Sequence, residues 1–296
     1  MPLLAGEYYV NLASQVLIAA VLAWSLNPLV GYARLTSLGH AAWLGLAAYF
    51  SAWFSLRLGM GPLSSAVGAL GATTLAAALF GLVALRASGL GFLMITLAIG
   101  QVLWGLAFRW VGVTGGDNGI SGLTRPAPFG VDLNSAIAFY YFALAAAGLT
   151  AAAMALIAGS AFGALLRGTR DQPRRMAALG HNVWLVRYAA FVVAGFFGAI
   201  AGLLFVYYNK FIHPQSLSLT ASAEVLLMVI AGGSGTLAGP LVGAAVVTLL
   251  KSYVSAYVER WTMLLGFVFL AIVIFMPDGL VPGVQRLWVR LTGKSR

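Results

Sequence analysis

The 296-residue chain has no cysteine, three histidines and few charges, since only 8% of its residues are Asp, Glu, Lys or Arg. Without cysteine there are no disulfides and no thiolate metal sites. His40, His181 and His213 lie on separate segments, so the common histidine-cluster zinc site is missing as well. An ordinary soluble domain carries roughly 25% charged residues, which excludes that class. The first ten residues contain no Lys or Arg. The n-region of a cleavable signal peptide is therefore absent, and the first apolar segment is expected to stay as a membrane anchor. No GxxxxGK[ST] loop occurs anywhere, so the chain cannot hydrolyse nucleotide by that route. No polar gap reaches the 50 residues of a small soluble domain, so residues 1–296 are expected to form one transmembrane domain.

What remains is apolar: 61% of residues are hydrophobic and the mean hydropathy is +0.94. The expected fold is an all-α polytopic membrane protein. Runs near the ~20 residues that a helical span needs fall at 9–31, 36–56, 63–85, 90–112, 136–159, 187–208, 221–236, 240–257 and 263–282. About nine transmembrane helices follow, with glycine-rich broken or re-entrant segments. Gly232, Gly233, Gly235, Gly239 and Pro240 interrupt the seventh and eighth runs, which are either two spans or one kinked unit.

The formal charge of +10 is explained by topology and not by nucleic-acid binding, because the basic residues cluster. With nine spans and the N-terminus outside, Arg34, Arg86, the loop 160–186 and the C-terminal Arg286, Arg290, Lys294 and Arg296 all fall in the cytoplasm. That loop holds a basic island, Arg167-Gly-Thr-Arg170-Asp171-Gln-Pro-Arg174-Arg175-Met176-Ala177-Ala178-Leu-Gly180-His-Asn182. A short helix ending at Gly180, a residue suited to a left-handed helix end, could dock there on a soluble partner.

Small residues recur every fourth position at Ala194, Gly198 and Gly202, and at Gly235, Gly239 and Gly243. Such stripes let helices approach closely in lipid, as a moving interface or a static seam. Ionisable groups inside spans are functional candidates by default. Glu224, at the head of the seventh run, either lines a pathway or complements a helix dipole. His40, Thr96 and Gln101 are further candidates, each with a structural alternative as a buried, satisfied polar group.

Two other classes can be weighed on residues. Gly232-Gly233-Ser234-Gly235 looks like the GxSG motif of rhomboid proteases, but no histidine follows Ser234 to act as base. An ion-coupled secondary transporter commonly uses membrane carboxylates and broken helices, and this chain offers one deep carboxylate, Glu224, and one candidate break.

Several collinear stretches together resemble the LivM-type permease subunits of bacterial branched-chain amino acid ABC importers: residues 31–42, Thr96-Leu-Ala-Ile-Gly-Gln101, Thr114-Gly-Gly-Asp117-Asn118-Gly-Ile-Ser-Gly122, Arg170-Asp171, Gly180-His181-Asn182, 224–236 and Met276-Pro-Asp-Gly-Leu280. The resemblance implies a permease, not an enzyme, for branched-chain or other small amino acids or related small polar organics. It would sit in the inner membrane beside a second, LivH-like permease, two cytoplasmic ABC ATPases and a periplasmic binding protein. The chain itself would carry no cofactor and no metal, with ATP and Mg on the ATPases. The island Arg167–Asn182 would be the coupling helix, and Asp117 and Asn118 join the pathway candidates. A ribose-type sugar permease is the alternative within ABC transport. The family often has glutamate at Gln101 and an acidic, alanine-rich segment where this chain has Arg174-Arg175-Met176-Ala177-Ala178. Such inverted charge implies a matched acidic rim on the ATPase.

Overall fold

The computed structural model describes residues 6–125, 133–254, 261–276, 278–284 and 286. Pro277, Arg290, Lys294 and Arg296 lie outside the described residues. Among the described residues, nine apolar helices overlap the nine expected runs: α1 Glu7–Asn27, α2 Ala41–Leu56, α3 Pro62–Ala84, α4 Leu90–Arg109, α6 Ala136–Gly159, α9 Val183–Asn209, α10 Leu219–Gly232, α11 Ala238–Val254 and α12 Trp261–Phe275. Between them come three short helices, α5 Val111–Thr114, α7 Ala161–Asp171 and α8 Pro173–Ala178. Five of the helices are long and apolar enough to cross a bilayer: α1 with its extension to Tyr32, α3, α4, α6 and α9. The chain is thus an all-helical polytopic membrane protein.

α1 and α9 form the centre. α3, α4 and α6 lie outside and present large apolar side chains such as Leu63 and Leu149, both more than two-thirds exposed. An apolar belt of that extent belongs in lipid. The stripe on α9 explains the tight centre. A Cβ on Gly202 would land on the carbonyl of Leu44, and one on Gly198 would press on Trp43, so α2 lies directly against the α9 backbone. Trp43 and Phe191 then close the seam edge-to-face, with centroids 5.7 Å apart.

The second expected run needs correction. The helix starts at Ala41, not at 36. α1 runs through a π-turn, Pro28–Tyr32, and the chain then enters the bundle as an irregular segment whose Ala33, Leu35, Ser37, Gly39 and His40 are buried. Irregular backbone survives at such depth only when protein groups satisfy it. Here Thr96 Oγ1 accepts from Leu38 N at 3.3 Å and Ser222 Oγ from Ala41 N at 3.2 Å. A helix-period pattern cannot reveal that, because the segment is as apolar as its neighbours.

The seventh and eighth runs form neither a kinked unit nor two full-length spans. α10 and α11 pack antiparallel, with Gly243 against the Met228 carbonyl and Gly232 against that of Gly239. At 1.5 Å per residue, the 14 residues of α10 measure about 21 Å, short of the ~30 Å hydrocarbon core. The hairpin returns the chain to the side from which it came, whatever its depth. Gly235 belongs to the turn and not to a helical stripe, and Pro240 sits in the first turn of α11, where its missing N–H costs nothing.

At one end of the bundle, strands Ile120–Ser121 (β1) and Phe211–Ile212 (β2) pair antiparallel and join the loops after α5 and α9. Arg125 locks the same end. Its guanidinium donates to the last carbonyls of α9, Tyr207 O at 2.7 Å and Tyr208 O at 3.1 Å, and to Leu133 O at 2.6 Å.

Candidate functional site

The basic island is not a loop. Residues 160–182 fold into two helices on the end of the bundle opposite Arg125. Ser160 caps α7 by accepting from Gly163 N at 3.3 Å, and the helix buries Leu166 and Thr169 against the bundle. Its arginines face the end of α1. Arg170 donates to Gly31 O at 3.0 Å and to Asp171 at 2.8 Å, while Arg167 donates to Ala158 O at 2.9 Å and lies over the Tyr32 ring. The hydrogen bond from Arg170, aided by the charges of Arg170 and Arg34, holds the Asp171 carboxyl below its ordinary pKa.

α8 then stands free of the core. None of its six residues is buried; Arg174, Arg175, Ala177 and Ala178 are exposed, and only Met176 is partly covered. Its exit is fixed. Gly180 adopts φ +85°, Gly180 N bonds Ala177 O at 3.0 Å, and His181 N bonds Met176 O at 3.1 Å. This is the Schellman arrangement, which requires the left-handed conformation that glycine tolerates. Asn182 follows as the N-cap of α9, its Oδ1 accepting from Leu185 N at 3.1 Å.

From α7 a chain of polar contacts leads inward. Beyond Gly31, Asn27 near the end of α1 holds the hairpin turn from both sides. Its Oδ1 accepts from Gly235 N at 2.9 Å and its Nδ2 donates to Thr236 O at 3.0 Å. Trp24 Nε1 donates to Leu237 O at 2.7 Å. A Cβ on Gly233, the residue that ends α10, would fall on Pro282 beyond α12, so the turn is packed from a second side as well.

The other candidates scatter. Of His40, Thr96, Gln101, Asp117, Asn118 and Glu224, only Glu224 lines the large cavity, a space of about 620 Å³ among α1, α10, α11 and the end of α9. Asp117 and Asn118 are exposed in a 3₁₀ turn, and Gln101 is partly covered on α4. Thr96 spends its hydroxyl on Leu93 O and Leu38 N. His40 is fully buried, with Nε2 2.7 Å from Ser25 Oγ and Nδ1 unpartnered. Glu224 lies beyond the first turn of α10, whose cap is Ser218, so the dipole does not hold it. It is paired instead with Lys251 of α11, at 3.0 Å. Lys251 was missed in the sequence, although its signal was plain: a lone cation within the eighth apolar run. Among the described residues no group of His, Asp or Glu could hold a metal ion.

A family model described as the permease component of the branched-chain amino acid transport system matches residues 8–276. The chain belongs to that family. It is similar to the high-affinity branched-chain amino acid transport permease LivM of Salmonella typhimurium, at 25% identity over 95% of this chain and 72% of that protein. LivM of Escherichia coli K12 matches at 24% over the same shares. The autoinducer 2 import permease LsrC of Salmonella paratyphi B matches at 31% over 58% of this chain and half of its own length. No solved structure matches. The chain is therefore a multi-pass membrane permease, and the resemblance in its motifs reflects membership.

Proposed function

We propose that the chain is one permease subunit of an ATP-driven ABC importer in a bacterial inner membrane, for branched-chain or other small amino acids. It works with a second, LivH-like permease, two cytoplasmic ABC ATPases that hold the ATP and Mg, and a periplasmic binding protein. The α8 end is cytoplasmic, as are Arg34 and Arg86, and the N-terminus is periplasmic. The observation that carries this reading is α8 itself: a six-residue helix with no buried residue, rigidly capped, offering Arg174, Arg175 and Leu179 outward. An exposed leucine one turn after a pair of arginines suits a groove with an acidic rim on an ATPase.

The geometry supplies a lever. Movement of α8 passes to α7, through Arg170 to Gly31, and through Asn27 to the turn of the α10–α11 hairpin. The hairpin forms two walls of the cavity. A second cargo class, another small polar organic, draws support from the likeness to LsrC, named for autoinducer 2 import. The test is Arg174→Glu with Arg175→Glu. This variant should insert normally, lose its ATPase on purification in a salt-dependent manner and stop uptake. Wild-type co-purification and uptake would contradict the assignment.

A further inference from the structure

The Glu224–Lys251 pair is unlike an ordinary surface ion pair. Lys251 Nζ reaches both oxygens of Glu224, at 3.0 and 3.4 Å, on facing helices of one hairpin. The two side chains stay 15% and 50% exposed, Glu224 and Lys251 respectively, and both line the 620 Å³ cavity. Charges near membrane depth are costly and mark substrate routes. The cavity volume lies within the ~300–1,000 Å³ typical of small-molecule sites. Its remaining wall divides in two. Leu22, Leu44, Val225 and Met228 make an apolar face, while Gln15, Asn209 and Ser216 make a polar rim at the end of α9.

We infer that this cavity is a transient binding site for a zwitterionic α-amino acid with an apolar side chain, its ammonium group on Glu224 and its carboxylate on Lys251. The inference rests on the permease reading above and adds the place in the fold and the residues that hold the cargo. An α-amino acid carries opposite charges across a single carbon, so it can lie antiparallel to the Glu224–Lys251 pair and satisfy both ions at once. Its side chain then points to Leu22, Leu44, Val225 and Met228. A molecule with only one of the two charges leaves one protein ion facing a like charge or an apolar group, which is unfavourable. The site thus selects for a paired charge, and its half-open, partly solvated ion pair favours release over tight retention.

The cysteine-free sequence allows a direct test on the whole chain in lipid nanodiscs. Thr220 lines the cavity and is exposed, so Thr220→Cys reports its occupancy through the rate of maleimide alkylation. Saturating L-leucine should slow alkylation on the order of threefold or more by mass action. 4-Methylpentanoate, which lacks the ammonium, and 3-methylbutylamine, which lacks the carboxylate, should give little protection. Glu224→Gln and Lys251→Gln should each abolish protection by leucine. Equal protection by the two single-charge analogues overturns the proposal, as does no protection by leucine, isoleucine or valine. Reactivity that follows phosphatidylethanolamine content but not leucine overturns it too, by showing a lipid in the cavity. The analogue series needs no charge variant, so misfolding of a variant cannot shield the idea. ATP-driven leucine uptake by cells carrying the intact transporter reports on the permease reading alone. Uptake without protection refutes this site and leaves that reading standing, whereas absence of uptake strikes the reading itself.

Discussion

Gly180 offers a perturbation whose cost can be worked out in advance. Its φ is +85°, and a Cβ added there would meet nothing within 4 Å, so a substitution costs backbone strain and no steric clash. An L-residue in that conformation pays about 1–2 kcal/mol, with asparagine the residue best able to bear it. If the chain escapes the strain, the bonds from Gly180 N and His181 N are lost, at about 0.5–1.5 kcal/mol each. The strain alone shifts the equilibrium away from the native exit of α8 by about 5- to 30-fold. Gly180→Val should therefore cut transport by roughly that factor, while Gly180→Asn retains most of it. Arg174 and Arg175 remain exposed in both, so the ATPase should still co-purify. ATP-driven uptake and ATP hydrolysis, measured together in proteoliposomes, give transport per ATP. The reasoning fails if the two variants lose transport equally, or if Gly180→Val transports like wild type.

Other predictions follow from single contacts. Asn27→Ala removes the grip on Gly235 N and Thr236 O, and it should preserve ATPase binding and hydrolysis while uptake falls at least tenfold, the equivalent of about 1.4 kcal/mol. Arg125→Gln strips the α9 carbonyls of a charged donor worth about 1.5–3 kcal/mol, and should lower the thermal midpoint of the purified chain. Gly202→Leu forces α2 off α9 at the Leu44 carbonyl, so the folded yield should collapse while Gly71→Leu, with open space around it, is tolerated. Ser160→Cys should react with impermeant maleimide from the cytoplasm and Ser121→Cys from outside; labelling of both from one side would overturn the arrangement of spans.

The helices were legible because lipid demands long apolar runs, and among the described residues nine apolar helices overlap the nine runs, with α2 starting late and α10 falling short of a full span. The left-handed helix end at Gly180 was legible for a local reason, since it needs only residues within one turn; the cap of α9 by Asn182 emerged only from the structure. What could not be read depends on partners distant in sequence. The irregular entry to α2 exists because Thr96 and Ser222 satisfy its backbone, and neither hydroxyl is near residue 38 or 41 in the chain. Glu224 stood out as a carboxylate in an apolar run, but its pairing with Lys251 required the hairpin to bring the two together. The 160–186 region read as a polar loop because its charges outweigh Leu165 and Leu166; folded as α7, those charges turn outward or onto the end of α1.

The central claim is that an ATPase grips α8. Single cysteines at Arg175 and, as a control, at Ser121 can be placed in the otherwise cysteine-free chain and treated in native membranes with a short thiol-to-amine cross-linker. The account predicts that the Arg175→Cys chain cross-links to an ATP-binding subunit in a nucleotide-dependent way and that the Ser121→Cys chain does not. Capture of an ATP-binding subunit through Ser121→Cys, or of none through Arg175→Cys while ATP-driven uptake persists, would contradict it.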